Sequence, residues 1–312
     1  MMLGLLVAAL PALYWDQPAA TAADLRRAGI ETLRVPSERA ALEWRQAGFD
    51  AKALSTDERA RRTTLEAPGI AARADWASAT RRPWIDANGW RYLRKPKGTY
   101  FVAAPRGASV LAAVEAFAHD ADLLLQIDTA DLEALGQALA FLRGLPEAAL
   151  PGITDLAVVD DGSFGAGELM NLLARRNLLF RPVARAAPEL PLTVELGSRE
   201  YPKAEAGNPD ALALKVRARL GDERRSLRLF GSEVVLARLT GDTRRLRVHL
   251  VNYGGRDVEG LRVRVRGSWT PGAAQVLLHG SLAVEAPLVQ DDATEFSLPV
   301  LGPYAVVDLA AR

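Results

Sequence analysis

The sequence of 312 residues contains no cysteine and only three histidines. Without thiols there can be no disulfide, no thiolate metal site and no cysteine nucleophile, although this leaves the compartment open. His119, His249 and His279 are too scattered to form a metal site or a triad, so they are expected to be structural or on the surface. No sign of charge dominates either. With 39 basic against 38 acidic residues, nothing points to nucleic acid or another polyanion as partner. There is no Gly-rich phosphate loop, no G-x-S-x-G elbow and no H-E-x-x-H helix. Carboxylates can bind calcium, but no calcium ligand loop is present, and neither a metal nor a cofactor is expected.

Apolar runs are short. The only one near the start, Gly4 to Leu10, is far below the roughly 20 residues that span a bilayer. It has the length of a signal-peptide core, and Leu10-Pro11-Ala12 resembles a small-residue cleavage region, so residues 1–12 are read as an export signal to a secreted or periplasmic location. The stretch lacks the usual Lys or Arg at its start, and the alternative is a lead-in to a first buried strand.

What is present is alternation. Residues 13–16 (LYWD), 31–35 (ETLRV) and 50–54 (DAKAL) read as strands, with helical segments ended by Gly29 and Gly48 between them. Residues 56–98 break the rhythm and carry Trp76, Trp84, Trp90 and Tyr92, with a hairpin expected at Asn88-Gly89. Helices are expected again at 108–119 and 132–142, on either side of a strand at 123–128 that ends in Asp128.

Residues 155–183 (DLAVVDDGSFGAGELMNLLARRNLLFRPV) give a strand, an acidic turn at Asp160-Asp161, a helix and a second strand. That βαβ unit requires a parallel sheet, in which ligands meet the carboxyl ends of strands. Counting strands before Ser226 gives about eight, the number of a (β/α)₈ barrel. The expected fold is therefore α/β, a reduced or degenerate TIM-like barrel over residues 13–225, with an open doubly wound sheet as the alternative. After Ser226 the period falls to two, and turns separate short alternating runs, so residues 226–312 read as a small antiparallel β-sandwich.

Within that last part, RVHLVNYGGRDVEGLRVRV and TEFSLPVLGPYAVVDL, spanning residues 247–309, resemble the closing β-domain of bacterial glycoside hydrolases of the β-galactosidase and fucosidase type. The preceding α/β part is similar to those enzymes in layout alone. The resemblance implies an oligo- or polysaccharide substrate and a pair of carboxyl groups across the scissile bond. It also implies two glutamates at strand ends, as in retaining enzymes of the large barrel clan, and here the sequence departs: Glu115 and Glu168 fall in or at helices, and Glu195 reads as lying inside a strand at 192–196.

Aspartates occupy the strand ends instead. Asp128, Asp160 and Asp161 are the candidate catalytic carboxylates, with Asp128 expected beside the acidic turn on neighbouring strands. The competing reading is that they cap the helices that follow. Asp16, Trp15, Trp76, Trp84, Trp90 and Tyr92 are the candidate sugar-binding residues, the aromatic faces stacking on sugar rings. Trp44, on a helix, is assigned to the core. Two functions lead: hydrolysis of glycosidic bonds by strand-end carboxylates, or a non-catalytic barrel of the cell envelope that binds carbohydrate or a protein partner; a third reading is a purely structural module of an envelope assembly.

Overall fold

A computed structural model describes residues 10–71, 84–146 and 150–312. The chain divides into two compact units, Met1–Gly69 with Lys95–Ala149 and Ile70–Arg94 with Leu150–Arg312. In chain order the α/β part begins β1 (Ala12–Tyr14), α1 (Ala22–Arg27), β2 (Thr32–Val35), α2 (Glu38–Gln46) and β3 (Asp50–Ala53). Next come α3 (Thr56–Arg61), β4 (Thr63–Leu65), the mutually paired β5 (Gly69–Ala71) and β6 (Trp84–Asp86), and α4 (Gly89–Arg94). Then follow β7 (Thr99–Ala103), α5 (Ser109–Ala118), β8 (Asp122–Gln126) and α6 (Leu132–Gly144).

In the first unit six parallel strands form one sheet in the order β3-β2-β1-β8-β7-β4. The steps β1 to β2 to β3 and β4 to β7 to β8 cross the sheet in one direction, whereas a doubly wound sheet reverses at a switch point. One face carries Leu13, Leu33, Val35, Val102, Leu123 and Leu125, all buried. The other carries Arg34 and Lys52 beside Tyr14, Phe101 and Leu124, and Arg59 of α3 stacks 4.9 Å from the Tyr14 ring and 4.8 Å from that of Phe101. A barrel interior is filled by branched apolar side chains; charged Arg34 and Lys52 do not fill one. Among the described residues the sheet does not close, and β3 and β4 are its edges.

Local chemistry sets the element ends. Ser37 caps α2 through Ala40 N–H at 3.2 Å. Ser55 and Glu58 form a reciprocal capping box on α3, a signal legible as S-T-D-E. The hairpin expected at Asn88-Gly89 is instead the start of helix α4, because the residues after Gly89 (WRYLR) offer no alternating strand to return along.

The second unit begins, after β6 and α4, with β9 (Leu156–Val159), α7 (Phe164–Arg175), β10 (Phe180–Val183), β11 (Thr193–Val194) and α8 (Pro209–Leu220). Strands β10 and β11 flank β9, all parallel, with Leu156 opposite Phe180 and Val158 opposite Val194. The expected βαβ unit is present, and Leu156, Ala157 and Val158 are fully buried, as a strand covered on both faces requires. Helix α4 lies on α7, where the Trp90 ring occupies the space a side chain at Gly167 would need.

Two antiparallel sheets follow, made of β12 (Leu227–Phe230), β13 (Val235–Gly241), β14 (Arg245–Asn252), β15 (Val258–Arg266) and β16 (Trp269–Pro271). They are completed by β17 (Ala274–Val276), β18 (Gly280–Leu282), β19 (Glu285–Gln290), β20 (Ala293–Leu301) and β21 (Tyr304–Ala311). The orders β12-β15-β20-β19 and β13-β14-β21-β17-β18 give two layers that share one core, including Val263 and Phe296 from one sheet and Val248 and Val307 from the other. The change to antiparallel strands near Ser226 falls within the second unit. Asn177, at φ +52°, docks its side chain on β13, donating to Val235 O at 3.0 Å and accepting from Ala237 N–H at 2.7 Å.

Candidate functional site

The acidic turn after β9 lies at the carboxyl edge of the second unit's parallel sheet. Asp160 is bound by Arg94 of α4, whose Nε and Nη2 donate to its two oxygens at 2.8 and 2.7 Å; Gly162 N–H adds a third bond at 3.0 Å. Both side chains are mostly buried. This carboxylate is committed to holding α4 against the turn. Asp161 points to solvent and accepts from Ser163 N–H at 2.9 Å. That hydrogen-bonding by Ser163 holds its carboxyl below the usual range, so it is ionised at neutral pH. Ser163 in turn caps α7 through Ala166 N–H.

The expectation for Glu195 needs correction. Strand β11 stops at Val194, so Glu195 is exposed just past a strand end, in register one residue before Asp160. The apolar rhythm of LTVEL suggested a strand of five residues, but only two of them pair with β9. Phe164 was also missed. At the first turn of α7, three residues past Asp161, it is 84% exposed.

Asp128 does not neighbour the acidic turn in a sheet. Strand β8 has both edges taken, by β1 and β7, so β9 cannot pair with it and founds a separate sheet. The neighbour of Asp128 is Asp16: Leu13 pairs with Leu125, and the two exposed aspartates each stand three residues beyond that pair. Gln126 donates to Asp16 at 2.8 Å, and Asp128 caps the turn before α6 through Ala130 N–H at 2.8 Å. Helix capping, the competing reading of these aspartates, thus describes Asp128 directly.

Among the aromatic candidates, Trp15, Trp90 and Tyr92 are buried, and their rings contact protein. Trp15 donates to Thr21 Oγ1 at 3.0 Å. Trp84 is partly exposed, with its Nε1 on Asp86 at 2.8 Å and the Arg175 guanidinium 3.8 Å from its ring centre. Trp76 lies outside the described residues. Trp44 is core. The histidines are tied into the scaffold: His249 bonds Tyr304 Oη at 2.7 Å, His279 bonds Asp257 at 2.9 Å, and His119 bonds Glu115 O at 3.0 Å.

Chemically, the edge at Asp161 and Glu195 offers an ionised carboxylate, a second carboxyl group and an exposed aromatic ring. A general acid needs its pKa raised. That shift is found at Asp155, buried at the amino end of β9 and hydrogen-bonded to Ser226, remote from the carboxyl edge.

No family model matches the sequence, and no curated protein matches it. Solved structures do. An α-L-fucosidase isoenzyme 2 from Paenibacillus thiaminolyticus superposes with a TM-score of 0.56 at 9% identity, over 88% of this chain and 71% of that one. The fold is glycoside-hydrolase-like. A rhamnosidase from Novosphingobium sp. PP1Y (TM-score 0.45, 8% identity) and a β-galactosidase from Rahnella sp. R3 (0.44, 9%) align over 87% and 89% of this chain. The protein spans 38% of the rhamnosidase and 63% of the galactosidase, less than two thirds of either. At such identity the likeness concerns fold, not reaction.

Proposed function

We propose that this protein is an exported relative of barrel glycoside hydrolases that acts on oligo- or polysaccharide, with its working edge at the acidic turn after β9. The observation that carries the proposal is the match to the fucosidase over 88% of the chain, α/β part and β-sandwich together. Export rests on the apolar start of the sequence, and the six-stranded sheet is read as a barrel opened between β3 and β4, since its strands advance as a barrel's do. In the hydrolytic form, ionised Asp161 serves as nucleophile or base and Glu195 as its partner carboxyl, while the Phe164 ring takes the apolar face of a sugar.

The test is turnover on a panel of aryl glycosides and oligosaccharides. Asp161→Asn and Glu195→Gln should each lower kcat/KM by about 10²–10⁴, the scale of lost acid–base assistance. Full activity in both variants would overturn the assignment. A second reading, carbohydrate binding without hydrolysis, is favoured by the Arg94–Asp160 lock, which removes one of the two turn carboxylates from chemistry. It predicts glycan binding with no turnover, lost in Phe164→Ala.

A further inference from the structure

A cleft of about 230 Å³ opens at the other end of α7, away from the acidic turn. Helix α7 starts at the carboxyl edge of its sheet and finishes at the amino edge, where Arg175 and Arg176 end it; α8 and β12 complete the walls. Five arginines line the cleft, Arg175, Arg176, Arg217, Arg225 and Arg228, against two carboxylates, Asp210 and Glu233. In a protein of net charge +1 that is a local concentration of one sign.

Three of these arginines converge on a single acid outside the lining. Asp222 accepts from Arg217 at 2.9 and 2.6 Å, from Arg225 at 3.2 Å, and pairs with Arg228 at 3.2 Å. Arg176 is paired with Asp210. Each guanidinium carries five N–H donors; the hydrogen bond to Asp210 occupies one at Arg176, and the ion pair to Asp222 engages only Nη2 of Arg228. Arg225 is the most telling. It is 7% exposed, its Nη atoms bond Asp222 and the carbonyls of Arg176 and Asn177, and its buried Nε has no hydrogen-bond partner among the described residues. Burial pulls its pKa down despite Asp222, as expected where a cation lacks enough negative charge. Arg228 also lies over the Phe230 ring at 5.0 Å, which steadies the guanidinium plane and leaves its edge for hydrogen bonding.

We propose that this cleft binds a small ligand through an oxyanion, a carboxylate, sulfate ester or phosphate ester carried on a molecule of about one sugar unit. Its volume is below the roughly 300–1,000 Å³ of pockets for drug-sized ligands, and planar arginine forks suit such oxyanions. The site is separate from the Asp161 edge and does not depend on hydrolysis there.

Calorimetric titration of the full chain at low salt tests it, with glucuronate, glucose 6-sulfate and glucose 6-phosphate in separate arms, and glucose and inorganic sulfate as references. Saturable one-site binding of at least one charged sugar, absent for glucose, is the expected result. The arm that binds most tightly identifies the oxyanion, and equal binding of inorganic sulfate shows that the sugar contributes nothing. Arg176→Gln and Arg228→Gln should each weaken binding tenfold or more, while Arg262→Gln, on an exposed strand face, should leave it unchanged. Thermal unfolding checks that each variant folds. Should Arg176→Gln fail to fold, Arg228→Gln, at the more exposed position, decides alone. No saturation by any anion, or equal affinity in the folded variants, would overturn the proposal.

Discussion

The guanidinium of Arg94 meets the carboxylate of Asp160 fork to fork, at 2.8 and 2.7 Å, with both side chains mostly buried. Losing either partner leaves the other charge buried alone, which costs more than the pair itself contributes. Arg94→Ala and Asp160→Ala should each lower unfolding free energy by about 2–4 kcal/mol, and the double variant by less than the sum. Urea midpoints of the three variants give the coupling directly; additive losses would show that the pair does not hold α4 to the turn.

Asp155 supplies a pH signature. Burial pushes its carboxyl above the usual range, against hydrogen bonds from Ser226 Oγ at 2.5 Å and Ser226 N–H at 3.1 Å. The fold therefore favours the protonated acid. Its contribution is complete below the unfolded-state value and is lost as pH rises through the raised one. Asp155→Asn, which keeps an acceptor without a charge, should flatten this loss: from about pH 4 to about pH 8 the variant's urea midpoint should fall less than the wild type's.

Asp222 has the opposite sign. Hydrogen bonds from Arg217, with help from Arg225, hold it far below the usual carboxylate range. Its stabilisation is present above the unfolded-state value near 4 and fades as pH drops toward the depressed one. Asp222→Asn should cost about 1–2 kcal/mol at pH 7, discounted because the group is a third exposed. The cost should shrink in acid, and a constant difference across pH would count against the three-arginine arrangement.

Gly136 of α6 approaches α1 so closely that an added Cβ would fall 1.8 Å from the Ala28 carbonyl oxygen. Gly136→Ala should destabilise by about 1–3 kcal/mol through this overlap. Gly144→Ala, with nothing among the described residues within 4 Å of its Cβ, should be neutral or slightly stabilising. Thermal melts of the pair isolate the close approach from helix propensity.

The parts legible in the sequence were those governed by local periodicity. The βαβ pattern around Asp160 and the alternation after Ser226 report burial on one face, which composition encodes residue by residue. Helix α8 carries start and stop signals of the same local kind, Pro209 at its first position and Gly221 just past its end. Pairing is not local. Nothing in LLLQID announces that β8 joins β1 and β7, so that Asp128 and the acidic turn end strands of different sheets and Asp128 stands beside Asp16. Glu195 was hidden because strand length depends on how far a neighbour runs alongside. Trp90 and Tyr92 read as an irregular insert because a short helix packed on α7 draws its stability from that contact rather than from its own pattern.

A sheet that does not close has two margins. Main-chain donors and acceptors along β3 and β4 face outward without a ladder among the described residues, the arrangement through which unrelated chains stick together. The first margin carries exposed Asp50 and Lys52, whose charges repel an incoming strand, and the second is three residues long, too brief to template much. Among the described residues, two small safeguards thus stand against edge pairing of this sheet, a pair of charges on one side and brevity on the other.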